Sequence, residues 1–402
     1  MKLSSSLILL AATTSTWTGI KVLEITLCDV LLAGALIVGF FEYLARSRTF
    51  SIPFWILSLP IALMVVFAVH ALSGRLTTSV VAIDSPATND GSISGVIVHC
   101  VRFVIATSII GVLIRSEVVT HGSLRGKSLM QALMLGSFGS SLVAVLAELG
   151  LSFDAANYQI ESERASGLAF HPNSLALATV ISIPLLGYFS LSSNSRGWKK
   201  FFWRFALIVN LFALFYADSR GGLVVGFIVL IATGLFLMLS KRRMHWIPPV
   251  ALLASLLVAS VAGPVISNTR LAASDAGAAQ SSAGRSQFLS DGLDQFASSP
   301  LFGVGLASGS SVVVPVVLAA SGGLVLVVAY AIFVAVPLRQ MWASRNDSLI
   351  AACLISAIAF LAMGIFNNSF AERFDYWALL CGASLASATR LVKRPVPKRS
   401  IS

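Results

Sequence analysis
Apolar residues come in runs of about 20, separated by short polar connections, and this rhythm repeats along all 402 residues. A helix of that length covers the hydrocarbon core of a bilayer, because each residue rises about 1.5 Å. Counting back from the C-terminus, the runs predict spans near 376–391, 348–367, 310–338, 246–267, 221–240, 201–217, 166–191, 127–151, 94–114, 53–73, 27–45 and 4–20. The expectation is an all-α, polytopic membrane helix bundle of about twelve spans, with residues 1–402 forming one integral membrane domain. The first run, "SSSLILLAATTSTWTG", is short and rich in Ser and Thr, and a signal-like segment is the alternative reading of it.

Composition agrees with the periodicity. Only 11% of residues are charged and 56% are hydrophobic, against about 25% charged in soluble domains. The net charge of +11 is not a nucleic-acid footprint, because its distribution follows the spans. If the basic tail "RLVKRPVPKRS" is cytoplasmic, 20 of the 28 Lys and Arg fall on that side and 12 of the 17 acids fall on the other. That asymmetry is the positive-inside pattern, and it predicts a plasma (inner) membrane protein with both termini cytoplasmic. The four cysteines lie in or beside apolar runs, with no spacing that suggests a metal or redox pair, and read as packing residues.

The same alternation collects arginines on the extracytoplasmic face. "YADSRGG", 216–222, forms a tight turn between two apolar runs, so Asp218 and Arg220 stand at the bundle rim. Arg164 precedes the run at 166–191, Arg270 and Arg285 lie in the long loop 268–309, and Arg373 lies in "NNSFAERFD". A guanidinium donates paired hydrogen bonds that match phosphate oxygens, so arginines at a bundle rim suit a lipid-linked pyrophosphate. The bland alternative is a set of solvated loop charges. Within the long loop, "SDAGAAQSSAG", 274–284, reads as flexible. Phe288, Leu289, Leu293 and Phe296 then share one helical stripe, which predicts an amphipathic helix at the interface. "PLFGVGL" follows, with glycines that let the backbone turn and approach a ligand.

Three stretches carry a resemblance. "RASGLAFHPNSLALATVISIPLL", "SRGGLVVGFIVLI" and "GRSQFLSDGLDQFASSPLFGVGL" together resemble, in order and spacing, motifs of the O-antigen ligase and O-antigen polymerase superfamily of membrane glycosyltransferases. The resemblance covers residues 164–330, an O-antigen ligase-like core. It implies a transferase that moves a glycan from a polyprenyl-diphosphate carrier to an acceptor glycan or lipid. It also implies that Arg220 and Arg285 engage the diphosphate, with Arg164, Arg270, Asn173 and Arg373 as further substrate-binding candidates. Asp218 and His171 are the catalytic candidates, and Glu161, Glu163, Asp291, Asp294 and Glu372 are other carboxylates on that face. No Asp-x-Asp motif occurs, and no metal, cofactor or nucleotide sugar is expected. Partners are the lipid-linked glycan, the acceptor and the bilayer.

One departure stands out. Ligases of this superfamily place a His-Asn pair after the Gly-Val-Gly-Leu turn, and here the corresponding stretch has Ser310, Ser311 and Val312. A Ser is a poor base near neutral pH, so a polymerase or divergent ligase reading gains. A lipid or polysaccharide transporter, or a non-catalytic partner in envelope polysaccharide assembly, are the competing readings.

Overall fold
A computed structural model of the protein describes residues 3–22, 25–44, 52–74, 93–151, 164–191, 197–240, 276–305, 311, 313–366 and 371–392. Among these the regular structure is helical, apart from one antiparallel pair of two-residue strands, Lys21–Val22 (β1) and Ile25–Thr26 (β2). The helices are Leu3–Thr14 (α1), Leu27–Leu44 (α2), Phe54–Leu72 (α3), Ile93–Val104 (α4), Ile110–His121 (α5), Ser123–Glu148 (α6) and Pro172–Leu191 (α7). After them come Gly197–Tyr216 (α8), Arg220–Ser240 (α9), Ala276–Ser298 (α10), Val314–Trp342 (α11), Ser348–Met363 (α12) and Trp377–Val392 (α13). A five-residue π-helical stretch, Ile105–Ile109, joins α4 to α5 without a break.

Each predicted span coincides with a helix except 246–267, which lies outside the described residues. Among the described residues, five segments can cross a membrane by length and composition: Phe54–Leu72, Cys100–His121, Ser123–Glu148, Pro172–Leu191 and Val314–Trp342. Shorter apolar helices are Leu3–Thr14, Arg220–Phe236 and Ser348–Met363. The first run makes a shorter helix than its apolar length predicts. Thr13, Thr14 and Ser15 turn their hydroxyls onto the carbonyls of Leu9, Leu10 and Ala12, and side chains that compete for backbone groups favour helix ends. That short helix still packs in the core, burying Ile8, Ala11 and Ala12.

Three expectations need correction. The connection between the predicted spans 94–114 and 127–151 is almost all helix, and only Gly122 (φ 74°) separates α5 from α6. The segment read as flexible, 274–284, is helical from Ala276 onward, because its alanines carry the strongest helix propensity. The long apolar run after residue 310 is a broken helix. Gly323 sits at φ 61°, ψ −160° inside α11, leaving a short N-terminal piece and a longer C-terminal one.

Helix α7 is the most enclosed element, buried almost without interruption from Pro172 to Ser190. It packs against α8, α9 and α12. Small residues allow that closeness: a Cβ on Gly222 would stand 2.8 Å from the Ala176 Cβ, and one on Gly226 2.6 Å from Leu214. In a bilayer, where lipid tails are as apolar as Leu, such backbone approach is what holds helices together. A second cluster of rings, Trp55, Tyr330, Phe333, Phe360 and Tyr376, ties α3, α11 and α12 to the start of α13. All four cysteines are free, three of them buried.

Side-chain and backbone contacts sort the connections into two groups. One group joins Thr18 and Gly19 to 168–170, Asp29 to Arg373, His70 to Phe302, Arg164 to Ala217 and Val314 to Gly364. The other joins Ser4 to Glu42, Ser5 and Arg125 to Glu117, and Gln340 to Ser387 and Arg390. No bond in either group crosses between the sets that the charge pattern assigns to opposite faces.

Candidate functional site
The Ser-Arg-Gly turn is built by the end of α8 and the start of α9. Ala217 still closes the last turn of α8 onto Ala213, Asp218 bonds back to Phe215, and Asp218 adopts φ 41°. It is the one non-glycine residue at positive φ among those described, a conformation that costs free energy and persists only when surroundings impose it. Ser219 caps α9, accepting from Gly222 at its side chain and from Leu223 at its carbonyl. Arg220 is thus the first residue of α9, where the helix dipole is positive. A Cβ on Gly221 would meet the Phe366 Cβ at 2.5 Å, so the turn sits directly against the end of α12. Asp218 Oδ1 is buried with no hydrogen-bond partner among the described residues.

Arg164 braces this turn. Its Nε and Nη2 donate to the Ala217 carbonyl at 3.1 and 2.9 Å, and Nη2 also reaches Asn173 Oδ1 at 3.1 Å. Next to it Ala165 donates to the Tyr216 carbonyl. These bonds satisfy the orphan carbonyls at the C-terminal end of α8. His171 precedes α7 and caps it: its Nδ1 accepts from the Asn173 backbone N–H at 3.0 Å, and its carbonyl accepts from Ser174 and Leu175. A nitrogen that accepts from a backbone N–H carries its lone pair there, so the neutral ring bears its proton on Nε2.

Gly364 links this corner to α11. Its carbonyl accepts from Val314 at 2.9 Å, while its neighbour Phe366 packs on Gly221. Ser311 is buried just before α11 and accepts from Val313; Ser310 and Val312 lie outside the described residues. Helices α7, α9 and α11 therefore all begin at this corner. The C-terminal carbonyls that share it are occupied by Arg164, Ala165 and Val314. The balance of helix ends favours an anion.

The remaining candidates stand on other elements. Arg285 stands on α10, which packs along α11 and continues into the Pro300–Gly305 turn. Phe288, Leu289 and Phe296 are half-buried, Asp294 is exposed, and Leu293, placed on the apolar stripe by its spacing, is exposed as well. The turn plugs the break in α11: Val304 donates to the Ala320 carbonyl, while Leu324 and Val325 donate to the carbonyls of Pro300 and Leu301. A Cβ on Gly303 would collide with the backbone of residues 320–322, and one on Gly323 with that of Leu301 and Phe302. Arg373 is committed to a different partner, gripping Asp29 with two bonds of 2.7 Å in a buried pair. Arg270, Glu161 and Glu163 lie outside the described residues. Among the described residues, no group of three or more His, Cys, Asp or Glu is placed to hold a metal ion.

Two residues at this end of the bundle escaped the sequence reading. Asp375 is fully buried before α13, with Oδ2 accepting from the Glu372 backbone N–H and Oδ1 without a partner among the described residues. Burial, with the Glu372 charge beside it, pushes its carboxyl well above the ordinary range. His70 reaches the Phe302 carbonyl from α3. Nothing in the spacing of His70 marks its partner 232 positions away, and Asp375 is buried by tertiary packing that no local pattern announces.

No curated protein matches the chain. Arg164, His171, Asn173 and Arg373 lie outside the one stretch that a family comparison covers. The family model described as O-antigen ligase matches residues 205–319, from α8 through Arg220 and Arg285 into α11, so this stretch of the chain is similar to that family.

Proposed function
We propose that the protein is a glycosyltransferase of O-antigen ligase or polymerase type, moving a glycan from a polyprenyl-diphosphate carrier to an acceptor glycan or lipid at the extracytoplasmic face. The observation that carries this reading is the corner where α7, α9 and α11 begin, with Arg220 at the first position of α9. Helix N-termini and a forked cation together suit a diphosphate that gains charge as it leaves. In the step proposed, an acceptor hydroxyl attacks the anomeric carbon and the carbon–oxygen bond to the diphosphate breaks. The diphosphate departs onto Arg220 and Arg285, and the hydroxyl proton passes to a base.

Asp218 suits the base better than His171. The His171 lone pair is spent on the cap of α7, and its other nitrogen carries a proton. Asp218 is an acceptor-only group when ionised, and one buried oxygen has no donor among the described residues. Arg164 and Asn173 act as positioning residues for the turn, and Arg373 as a structural partner of Asp29.

A transporter is the second reading, favoured by the break in α11, since discontinuous helices line many transport sites. The backbone groups that the break frees are filled by residues 300–304, which speaks against that use. The deciding experiment supplies purified protein in detergent with labelled polyprenyl-diphosphate glycan and an acceptor. Release of polyprenyl diphosphate with label moving to the acceptor supports transfer; intact donor with no product sinks it.

A further inference from the structure
His70 lies in the last turn of α3, 2% exposed, and its Nε2 is 3.0 Å from the carbonyl oxygen of Phe302. A carbonyl only accepts, so Nε2 carries the proton and donates. The bond spans 232 positions of sequence and lands in the middle of the Pro300–Gly305 turn. On its other side that turn is stitched to the broken helix α11 through Ala320, Leu324 and Val325. Those stitches are backbone to backbone, whereas His70 supplies a side-chain anchor from a third element. Removing it would leave the part-buried Phe302 carbonyl without this donor and the turn without its anchor on α3.

We propose that His70 is a positioning residue that seats the Pro300–Gly305 turn in the break of α11, and so fixes where α10 and Arg285 stand. Its effect on turnover rests on the reading of Arg285 as a diphosphate ligand; its effect on the turn does not. The turn follows α10 directly, so any loosening of residues 300–305 frees the C-terminal end of that helix. No other step of the proposed transfer uses His70, and its ring touches neither Arg220 nor Asp218 in any bond described above.

The test is hydrogen exchange on the purified full-length protein, read at the amides of Val304, Leu324 and Val325. His70→Leu removes the donor and keeps the bulk, whereas His70→Gln keeps an amide donor at the reach of Nε2. Exchange at those amides should rise about tenfold in His70→Leu, stay near wild type in His70→Gln, and remain unchanged through α7. In transfer assays His70→Leu should raise KM for the lipid diphosphate more than it lowers kcat, and His70→Gln should restore both. Unchanged exchange in His70→Leu, or the same rise in both variants, overturns the proposal. Should His70→Leu not fold, His70→Asn replaces it, since its amide is one methylene too short; equal exchange in the Asn and Gln variants again overturns the idea. Faster exchange with unaltered turnover leaves the seat intact and counts instead against Arg285 as a diphosphate ligand.

Discussion
At the residue scale, Arg220 was legible because a charge between two apolar runs has to be at a rim or in a wet cavity, and the structure puts it at the first position of α9. What sequence could not show is how the other arginines divide their labour. Arg164 spends its fork on Ala217 and Asn173, and Arg373 spends its own on Asp29, pairings set by tertiary packing. Arg220→Ala should therefore cost about ten- to a hundredfold in turnover, the worth of one charge-assisted contact of roughly 1.5–3 kcal/mol. Arg220→Lys should fail too, because a point charge replaces a fork, and its loss should be less than additive with Arg285→Ala if both hold one diphosphate. Turnover by folded variants checks this, and near wild-type rates for Arg220→Ala would return the charge to a structural role. Asp375 gives a separate, pH-based expectation. With its folded pKa raised, its stabilising contribution is full below the unfolded carboxyl value of about 3.9 and is lost as pH rises toward the folded value. Wild-type protein should melt at falling temperature between pH 5 and pH 8, whereas Asp375→Asn should hold its melting temperature and exceed wild type at pH 8. Parallel curves would show that burial of this carboxyl does not govern the slope.

At the element scale, the apolar rhythm located the helices well and their ends poorly. Periodicity reports which face is buried, but a helix stops where backbone groups find other partners, as Thr13, Thr14 and Ser15 do for α1. The break in α11 was hidden because Ser-Gly-Gly inside an apolar run reads as a small-residue packing surface; only the docked turn reveals why Gly323 takes a positive φ. Helix α10 was anticipated at its C-terminal half, where Phe288, Leu289 and Phe296 set a stripe, and missed at its alanine-rich start. We expect the double change Phe288→Ser and Phe296→Ser to unseat that helix, since two half-buried rings would be lost, each contributing about half of the roughly 1.5–3 kcal/mol of a fully buried one. Turnover should fall while insertion into membranes and the melting of the bundle persist, because the ring cluster around Tyr376 lies on other elements. Unchanged turnover in the purified variant would show that α10 only covers the site.

At the scale of the whole molecule, charge asymmetry predicted which connections share a face, and the bonds between connections respect that division. Asp29 meets Arg373 and Ser5 meets Glu117, pairs that no local pattern announces but that each stay within one predicted side. Contacts fix relative sidedness only; which side faces the cytoplasm follows from the basic excess in one set of connections, a bias imposed at insertion. The orientation is open to direct measurement with single cysteines placed where the chain is exposed. Ser298, at the end of α10, and Asn346, in the connection between α11 and α12, are both exposed and belong to opposite sets. The native thiols at Cys28, Cys353 and Cys381 are buried and Cys100 is half-buried, so a Cys100→Ala background keeps the signal clean. In intact cells an impermeant maleimide should label Ser298→Cys and leave Asn346→Cys unmodified until the membrane is opened. The reverse pattern would place Arg220 and its helix N-termini in the cytoplasm, where a glycan carried on the extracytoplasmic leaflet never reaches them, and the transfer reading would fall with the topology.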